Sequence, residues 1–254
     1  MATPIKSARV SQTSAISFDP ATTLTVRVGP PATYKTFLVH EFFLTARSEY
    51  FRRAMNGKWA ESETRTIDLT EDDPEIFALY LNPVYNNHLP TMAQDLEHMR
   101  SLDRTAFITA FVKESNTIFR LYVLAEKLQD PSAQDAALAA ILDLSDLKQG
   151  DTFWLLPPAC AIRKVYANTP QDSPARRLIV DMWSNLPRDW LRKLHGVKPE
   201  VPREFPCDLM IAIRDEAPVN IPNRAKSKGI LAYLQKQKVS IDPQGSSEQM
   251  STPV

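Results

Sequence analysis

Residues 39–62, with the sequence VHEFFLTARSEYFRRAMNGKWAES, are the stretch of the chain that decides the fold. The stretch is dense in aromatic side chains, carries charges of both signs and contains His40, which is the only histidine in the first third of the chain. These residues suit two very different roles. One is a catalytic site built around His40, and the other is the packing and docking surface of a module that binds other proteins.

The middle of this stretch has helical periodicity. Its apolar residues fall near one face of a helix: Phe43, Ala46, Tyr50, Phe51 and Ala54. Ser48 can cap a second short helix, so the pattern predicts two helices separated by a turn at Arg47. We expect Phe43, Tyr50 and Phe51 to pack in the core, with self-association as the other use of this face.

Three segments around these helices alternate in the way that half-buried strands do. They are residues 23–29 (TLTVRVG), 34–40 (YKTFLVH) and 64–70 (TRTIDLT). The first two are separated by a proline-containing turn and are predicted to form a hairpin. The sequence therefore predicts an α+β fold with a small three-stranded sheet.

Helices dominate the chain after residue 70. In the segment 71–85 (EDDPEIFALYLNPVY), Asp73 can cap a helix and Pro74 suits its first position, while Pro83 is expected to kink or shorten it. Further helices are predicted over 95–102, over 117–130 and from the Asp130-Pro131 pair onward, and the last two fit a helical hairpin.

The composition changes after residue 147, since twelve of the twenty prolines lie beyond it. Helices are predicted there over 173–186 and 206–217, and an internal ion pair of Arg176 and Arg177 with Asp172 or Asp181 is expected. The predicted organisation is a disordered lead-in (1–18), a folded domain (19–145), a helical C-terminal extension (146–238) and a disordered tail (239–254).

Composition limits the classes of partner and the cellular compartment that we expect for the protein. Thirty basic residues balance thirty acidic ones, so net charge favours neither nucleic acid nor an acidic substrate as partner. Cys160 and Cys207 have no metal-site spacing and no disulfide framework, which suits a reducing compartment. No apolar run is long enough for a bilayer and no signal peptide is recognisable. We expect an intracellular protein, cytoplasmic or nuclear, without a membrane segment and without a cofactor.

Signatures of catalysis are also missing from the sequence. It has no dinucleotide-binding or phosphate-binding glycine loop, no nucleophile elbow and no zinc-protease motif. A hydrolase or metal enzyme using His40, His88 or His98 stays open as an alternative, because these histidines can still meet other ligands in space. For His40, however, a packing role where a strand turns into a helix is the simpler expectation. We expect the chain not to be an enzyme.

The segment 224–238 is basic and has no acidic residue. Its cations are Arg224, Lys226, Lys228, Lys236 and Lys238. This composition leaves a second alternative, in which the protein is a transcription or chromatin-associated regulator that contacts nucleic acid through this segment. A solvated surface beside a polar tail explains the same composition.

The order of these elements and several motifs resemble the BTB/POZ domain family over roughly residues 20–145. The motifs are Val39-His40, Phe43-Leu44, Ser48 with Tyr50-Phe51, Glu61-Ser62, and Asp72 and Pro74 with Phe77. The later helices are similar to the helical extension of fungal BTB proteins. The resemblance implies a small, mostly antiparallel three-stranded sheet capped by a cluster of helices and followed by a helical extension.

What the resemblance implies for function is interaction rather than chemistry. BTB domains form homo-oligomers, and many bind a cullin scaffold and act as substrate adaptors for ubiquitin ligases. Cullin-binding members carry an apolar-x-Glu motif before the third strand, and Trp59-Ala60-Glu61 is similar to it. Trp59 is expected either to anchor such an interface or to fold back onto the domain's own core.

Overall fold

The computed structural model describes residues 22–92, 95–147, 155–184, 201–214 and 228–234. Its strands are β1 (Thr23–Val28), β2 (Lys35–His40) and β3 (Thr66–Leu69). The α-helices of the first part are α1 (Glu41–Thr45), α2 (Glu49–Ala54), α3 (Ala60–Thr64), α4 (Pro74–Asn86), α5 (Leu96–Ser101), α6 (Arg104–Lys127) and α7 (Pro131–Ser145). Those of the extension are α8 (Ala159–Asn168), α9 (Pro174–Ser184) and α10 (Glu204–Arg214), followed by a 3-10 turn at Ile230–Ala232. The predicted lead-in and tail lie outside the described residues.

The three strands form one sheet in the order β2-β1-β3. β1 pairs with β2 in antiparallel register from Thr23 opposite His40 to Val28 opposite Lys35, which is the predicted hairpin. β3 lies parallel to β1, because the crossover through α1, α2 and α3 carries the chain to the other edge of β1 before it returns. The α+β fold is confirmed, but the sheet is evenly mixed rather than mostly antiparallel.

One face of the sheet is sealed against the helices. Leu24, Val26 and Val28 of β1 are fully buried, as their alternation predicts. Gly29 follows at a positive φ of 107°, and a Cβ there would lie 3.3 Å from the side chain of Pro74. This glycine therefore lets the end of β1 approach the start of α4 closely.

Helix α4 begins as the sequence predicts. The Asp73 carboxylate accepts hydrogen bonds from the backbone N–H groups of Glu75 and Ile76, at 2.7 and 3.4 Å. Pro83 lies inside the helix, which ends three residues later at Asn86. Pro83 has no N–H for the carbonyl of Leu79, and the Asn82 side chain donates to that carbonyl at 3.5 Å instead. The predicted shortening is thus observed within one turn of the proline.

Helix α6 is much longer than the sequence pattern indicates. It starts at Arg104 rather than near residue 117, and Asp103 caps it by accepting from the N–H groups of Thr105 and Ala106. Its first half is rich in β-branched residues, which lower helix propensity. For this reason the sequence pattern did not assign Phe107 and Phe111, which are buried, to a helix. Packing decides here, because α6 lies against α4, α7 and α8. The predicted helical hairpin is confirmed as α6 and α7.

The extension shares its core with the preceding domain. Ile162 and Val165 of α8 and Leu178 and Ile179 of α9 are fully buried in the same apolar cluster as α6. The helix predicted over 206–217 begins earlier, at Glu204, and ends at Arg214. α8 packs against α6, and the hydroxyl of Tyr122 in α6 lies 3.1 Å from that of Ser173, just before α9.

Candidate interaction surfaces

Trp59 lies in the connection between α2 and β3 and is the N-cap residue of α3. The Asn56 side chain accepts from the backbone of Lys58 and Gly57 has a positive φ of 82°, so a tight turn carries the chain out of α2. The carbonyl of Trp59 accepts from both the backbone and the hydroxyl of Ser62, at 3.0 and 2.7 Å. The Trp59 side chain is 60% exposed, so it does not fold back onto the domain's own core.

The two residues after Trp59 differ in exposure. Ala60 is exposed and Glu61 is half-buried. Burial raises the pKa of Tyr50, and the negative charge of Glu61 raises it further, which places the Glu61 carboxylate near that phenol. Within the described residues the carboxylate has neither a hydrogen bond nor an ion pair. An exposed indole and an uncompensated carboxylate therefore stand two residues apart.

An aromatic cluster forms where β2 turns into α1, and it consists of His40, Phe42, Phe43 and Tyr85. The rings of Phe43 and Tyr85 are 4.7 Å apart, and those of Phe42 and Phe43 are 5.8 Å apart. The Tyr85 hydroxyl lies 3.0 Å from both the backbone N and the Nδ1 of His40. His40 is therefore the joint between strand and helix, as expected, and Tyr85 is the partner that sequence reasoning did not assign.

The three aromatic residues expected in the core occupy different depths. Phe51 is fully buried, whereas Phe43 and Tyr50 are half-buried at the margin of the core. In α1 the fully buried residue is Leu44, and the neighbouring Phe42 is 67% exposed. Leu38, on the solvent side of β2, is 73% exposed. Apolar surface is thus concentrated where β2 and α1 meet.

A buried polar network joins the turn after α1 to the hinge between α6 and α7. The Asp130 carboxylate is fully buried and lies 3.3 Å from Nε of Arg47 and 3.0 Å from the hydroxyl of Tyr80. Asp130 also caps α7 by accepting from the N–H of Ala133, and Arg47 donates to the carbonyl of Pro83. Burial, reinforced by the charge of Asp130, raises the pKa of Tyr80. Sequence predicted the cap but not the ion pair, whose partners are 83 positions apart.

The histidines of the enzyme alternative lie in separate elements. His40 is at the end of β2, His88 follows α4 and His98 is in α5. Over the described residues, no three His, Cys, Asp or Glu side chains come together as they do around a metal ion. Both cysteines are free thiols. No helix in the described part of the chain combines the length and apolarity that a membrane span requires.

Of the basic segment 224–238, the structure describes residues 228–234, and Lys228 is its one cation there. Nζ of Lys228 donates to both oxygens of Asp181 in α9, at 3.0 and 2.9 Å. The buried hydroxyl of Tyr233 donates to the same carboxylate at 2.8 Å. Lys228 therefore binds the described part of this segment to α9. The other four cations lie outside the described residues: Arg224, Lys226, Lys236 and Lys238.

The two arginines at the start of α9 are placed differently from the prediction. Arg176 is 9% exposed, and its Nε lies 3.1 Å from the hydroxyl of Thr169. Its Nη2 donates to the carbonyls of Tyr166 and Thr169, and the guanidinium lies over the Tyr166 ring at 4.5 Å. Its hydrogen bonds thus go to neutral oxygens rather than to Asp172 or Asp181. Arg177 is exposed.

Two concave regions lie away from these surfaces. A groove of about 570 Å³ runs between α5 and the first half of α6, lined by Met99, Ala106, Ala110 and a series of threonines. A smaller cavity of about 290 Å³ lies in the extension, between α9 and α10.

Comparison with known proteins agrees with the fold. No curated protein matches the chain. A family model described as BTB/POZ domain matches residues 21–124, from two residues before β1 into the last turn of α6. The matched segment contains the mixed sheet, the aromatic cluster and the Trp59 turn. Residues 21–124 of this chain are therefore a BTB/POZ domain, a member of a family of protein–protein interaction modules.

Proposed function

We propose that the protein self-associates and acts as a substrate adaptor that presents Trp59-Ala60-Glu61 to a cullin-type scaffold. The observation that carries the proposal is the exposed indole of Trp59 within a BTB/POZ domain. In this proposal the chain is not an enzyme and uses no cofactor. The unit 19–145 provides the scaffold contact and self-association, and the extension 146–238 is left for a client protein.

The chemistry of the Trp59 turn supports an interface. Tryptophan is enriched among residues that dominate binding energy, because it buries a large apolar area with few rotatable bonds. Glu61, two residues later, has no hydrogen bond or ion pair among the described residues and is available to a donor on the scaffold. The short helix α3 fixes the spacing between the two side chains. One residue supplies affinity and the other supplies orientation.

The exposed apolar residues at the β2–α1 junction support self-association. Phe42 and Leu38 leave a large apolar surface in water, and burying each is worth about 1.5–3 kcal/mol. Phe42 is joined through Phe43 to Tyr85, which is also exposed, and an apolar patch of this kind marks interaction sites on soluble proteins. A two-fold dimer would place the same patch of both copies in contact and so bury Phe42 and Leu38 of each copy.

The adaptor proposal is tested by measuring binding to a purified cullin N-terminal domain by calorimetry. Trp59→Ala is expected to weaken binding by about 30-fold or more, since hot-spot truncations cost about 2 kcal/mol or more. Glu61→Gln is expected to have a smaller effect. Tyr34→Ala, which truncates another exposed aromatic residue, is the matched control and is expected to leave the affinity unchanged. Absence of binding by the unmodified protein at micromolar concentration would sink the proposal.

Self-association is tested separately by light scattering across a range of concentrations. The unmodified protein is expected to form a dimer or larger oligomer, and Phe42→Asp is expected to shift it to monomer. Leu231→Asp changes an exposed leucine of the extension and is expected to leave the mass unchanged. A monomer at every concentration would contradict this part of the proposal and leave the cullin contact unaffected.

A further inference from the structure

The cavity between α9 and α10 is lined by an unusual combination of side chains. Arg176, Arg177 and Lys228 supply three positive charges, and Asp181 and Asp208 supply two negative ones. Val180 and Ile211 add apolar surface. The lining therefore has a net charge of +1, from three cations and two carboxylates.

The charges of this lining are unequally satisfied. Asp181 is held by Lys228 and Tyr233, as described above, and Asp208 accepts from the Tyr166 hydroxyl at 2.9 Å. Arg176 is bonded to neutral oxygens. Arg177 has no side-chain hydrogen bond or ion pair within the described part of the chain. Neither guanidinium therefore has a carboxylate within bonding distance among the described residues, and Arg177 is the one of the two that solvent, or a ligand, can reach.

The stability of α9 does not explain why two arginines lie at its start. Both lie in the first turn of α9, where the helix dipole disfavours cations. Arg177 is exposed and makes no bond within the described residues that would offset this cost. The arrangement is explained if the charge serves a ligand.

Apolar surface lies directly beside the arginines. Ile211 is 60% exposed and lines the cavity, and Met210 and Ile213 of the same helix are exposed as well. α10 turns Phe205 and Leu209 into the core, so its outward side is apolar without being covered in the described structure. A ligand that neutralises Arg177 can therefore also cover Ile211.

We propose that this cavity binds a short segment of a partner protein in which one Asp or Glu is flanked by an apolar residue. The carboxylate pairs with Arg177, and the apolar side chain packs on Ile211. A single carboxylate matches the net charge of +1, whereas a phosphate dianion would exceed it and lie near two aspartates. The site is separate from Trp59 and the inference does not rest on the cullin contact.

The test uses the full-length protein and fluorescein-labelled peptide pools, with binding followed by fluorescence anisotropy. One pool has a fixed Leu-Glu-Leu centre with randomised flanks, and the matched pool has Leu-Gln-Leu. The Glu pool is expected to bind about tenfold more tightly than the Gln pool, which corresponds to the loss of one charged pair. Binding of the Glu pool is expected to weaken as salt screens the pair.

Variants locate the binding. Arg177→Gln and Ile211→Ser are each expected to weaken binding of the Glu pool by about fivefold to tenfold. Both residues are exposed, so unchanged thermal melting will verify that the fold is intact. Arg163→Gln removes an exposed arginine of α8 outside the cavity and is expected to have no effect.

Any of four outcomes would overturn the inference. The first is equal binding of the Glu and Gln pools, and the second is unchanged binding by Arg177→Gln. The third is an equal loss with Arg163→Gln, which would show attraction to the charge of the surface as a whole. A pool with phosphoserine in place of Glu that binds more tightly would also contradict the choice of a carboxylate. None of these results bears on the cullin measurement.

Discussion

The predicted domain, up to α7, and the predicted extension after it differ in the charged side chains that they bury. Among the described residues, the buried charged side chain of the domain is Asp130, whereas the extension buries Arg176 and Asp181. Asp130 meets a cation, a phenol and a helix N-terminus within one compact network. Arg176 meets only neutral oxygens through its hydrogen bonds and faces a cavity. Asp130 is thus neutralised by a cation, whereas the buried guanidinium of Arg176 is stabilised by neutral oxygens and by the Tyr166 ring.

Asp130→Ala is the variant with the largest expected effect, and it tests whether the buried Asp130 network stabilises the fold. The change leaves Arg47 without its buried partner, removes the acceptor of Tyr80 and removes the cap of α7. Loss of one member of a buried pair costs about 3–5 kcal/mol, so we expect a loss of this size in the free energy of unfolding measured by urea denaturation. Asp68→Ala, which breaks the exposed pair with Arg27, is the control and is expected to cost under about 1 kcal/mol. Equal effects of the two changes would contradict the role given to Asp130.

Tyr233→Phe tests how the extension is held together. The change removes a buried hydrogen bond to the Asp181 carboxylate and leaves Lys228 in place. Hydrogen bonds to charged groups contribute about 1.5–3 kcal/mol, and we expect a destabilisation at the lower end of this range. The segment should also open more often, so tryptic cleavage after Lys228 should become faster. Tyr34→Phe is the control, and an unchanged cleavage rate in Tyr233→Phe would disprove the anchoring role.

The smallest expected effect concerns Asp73, the half-buried N-cap residue of α4. Burial alone would raise the pKa of Asp73, but the hydrogen bond from Glu75 N–H and the contact with Arg120 outweigh it and lower that pKa below its ordinary value of 3.8. A lowered pKa in the folded state stabilises the fold above pH 3.8, and this contribution is lost as the pH falls through the folded-state pKa.

Asp73→Asn is therefore expected to lower stability by about 0.5–1 kcal/mol at pH 7. The difference from the unmodified protein should shrink below about pH 4. Melting temperatures measured between pH 3 and 7 provide the test. A difference that is independent of pH would show that the cap contributes without its charge.

Sequence reasoning succeeded where the determining interaction is local. Asp73 and Pro74 start α4, and Ser48 caps α2, because each acts within one helical turn. It failed where the interaction is distant in the chain. The direction of β3 depends on the crossover rather than on its own alternation, and the start of α6 depends on packing that overrides weak propensity.

The candidate sites divide in the same way. The sequence shows the motif Trp59-Ala60-Glu61, but it does not predict that the indole of Trp59 is exposed. The partner of Arg176 was predicted as a carboxylate, but a guanidinium can be accommodated by carbonyls that no side-chain pattern records. The cavity beside it depends on α9, α10 and a lysine far along the chain, and it could be recognised only in three dimensions.

The start of α2 has a consequence for how the domain opens in solution. The N–H groups of Glu49 and Tyr50 donate to the carbonyls of Gln129 and Leu128, and Ser48 donates its hydroxyl to Leu128 as well. A six-residue helix would ordinarily fray, and its first amides would exchange quickly with water. Here those amides donate to the two residues that follow α6, about eighty positions away. Their hydrogen exchange should therefore report the separation of α2 from the end of α6. We expect their exchange rates to be as low as those of the most protected amides of α6.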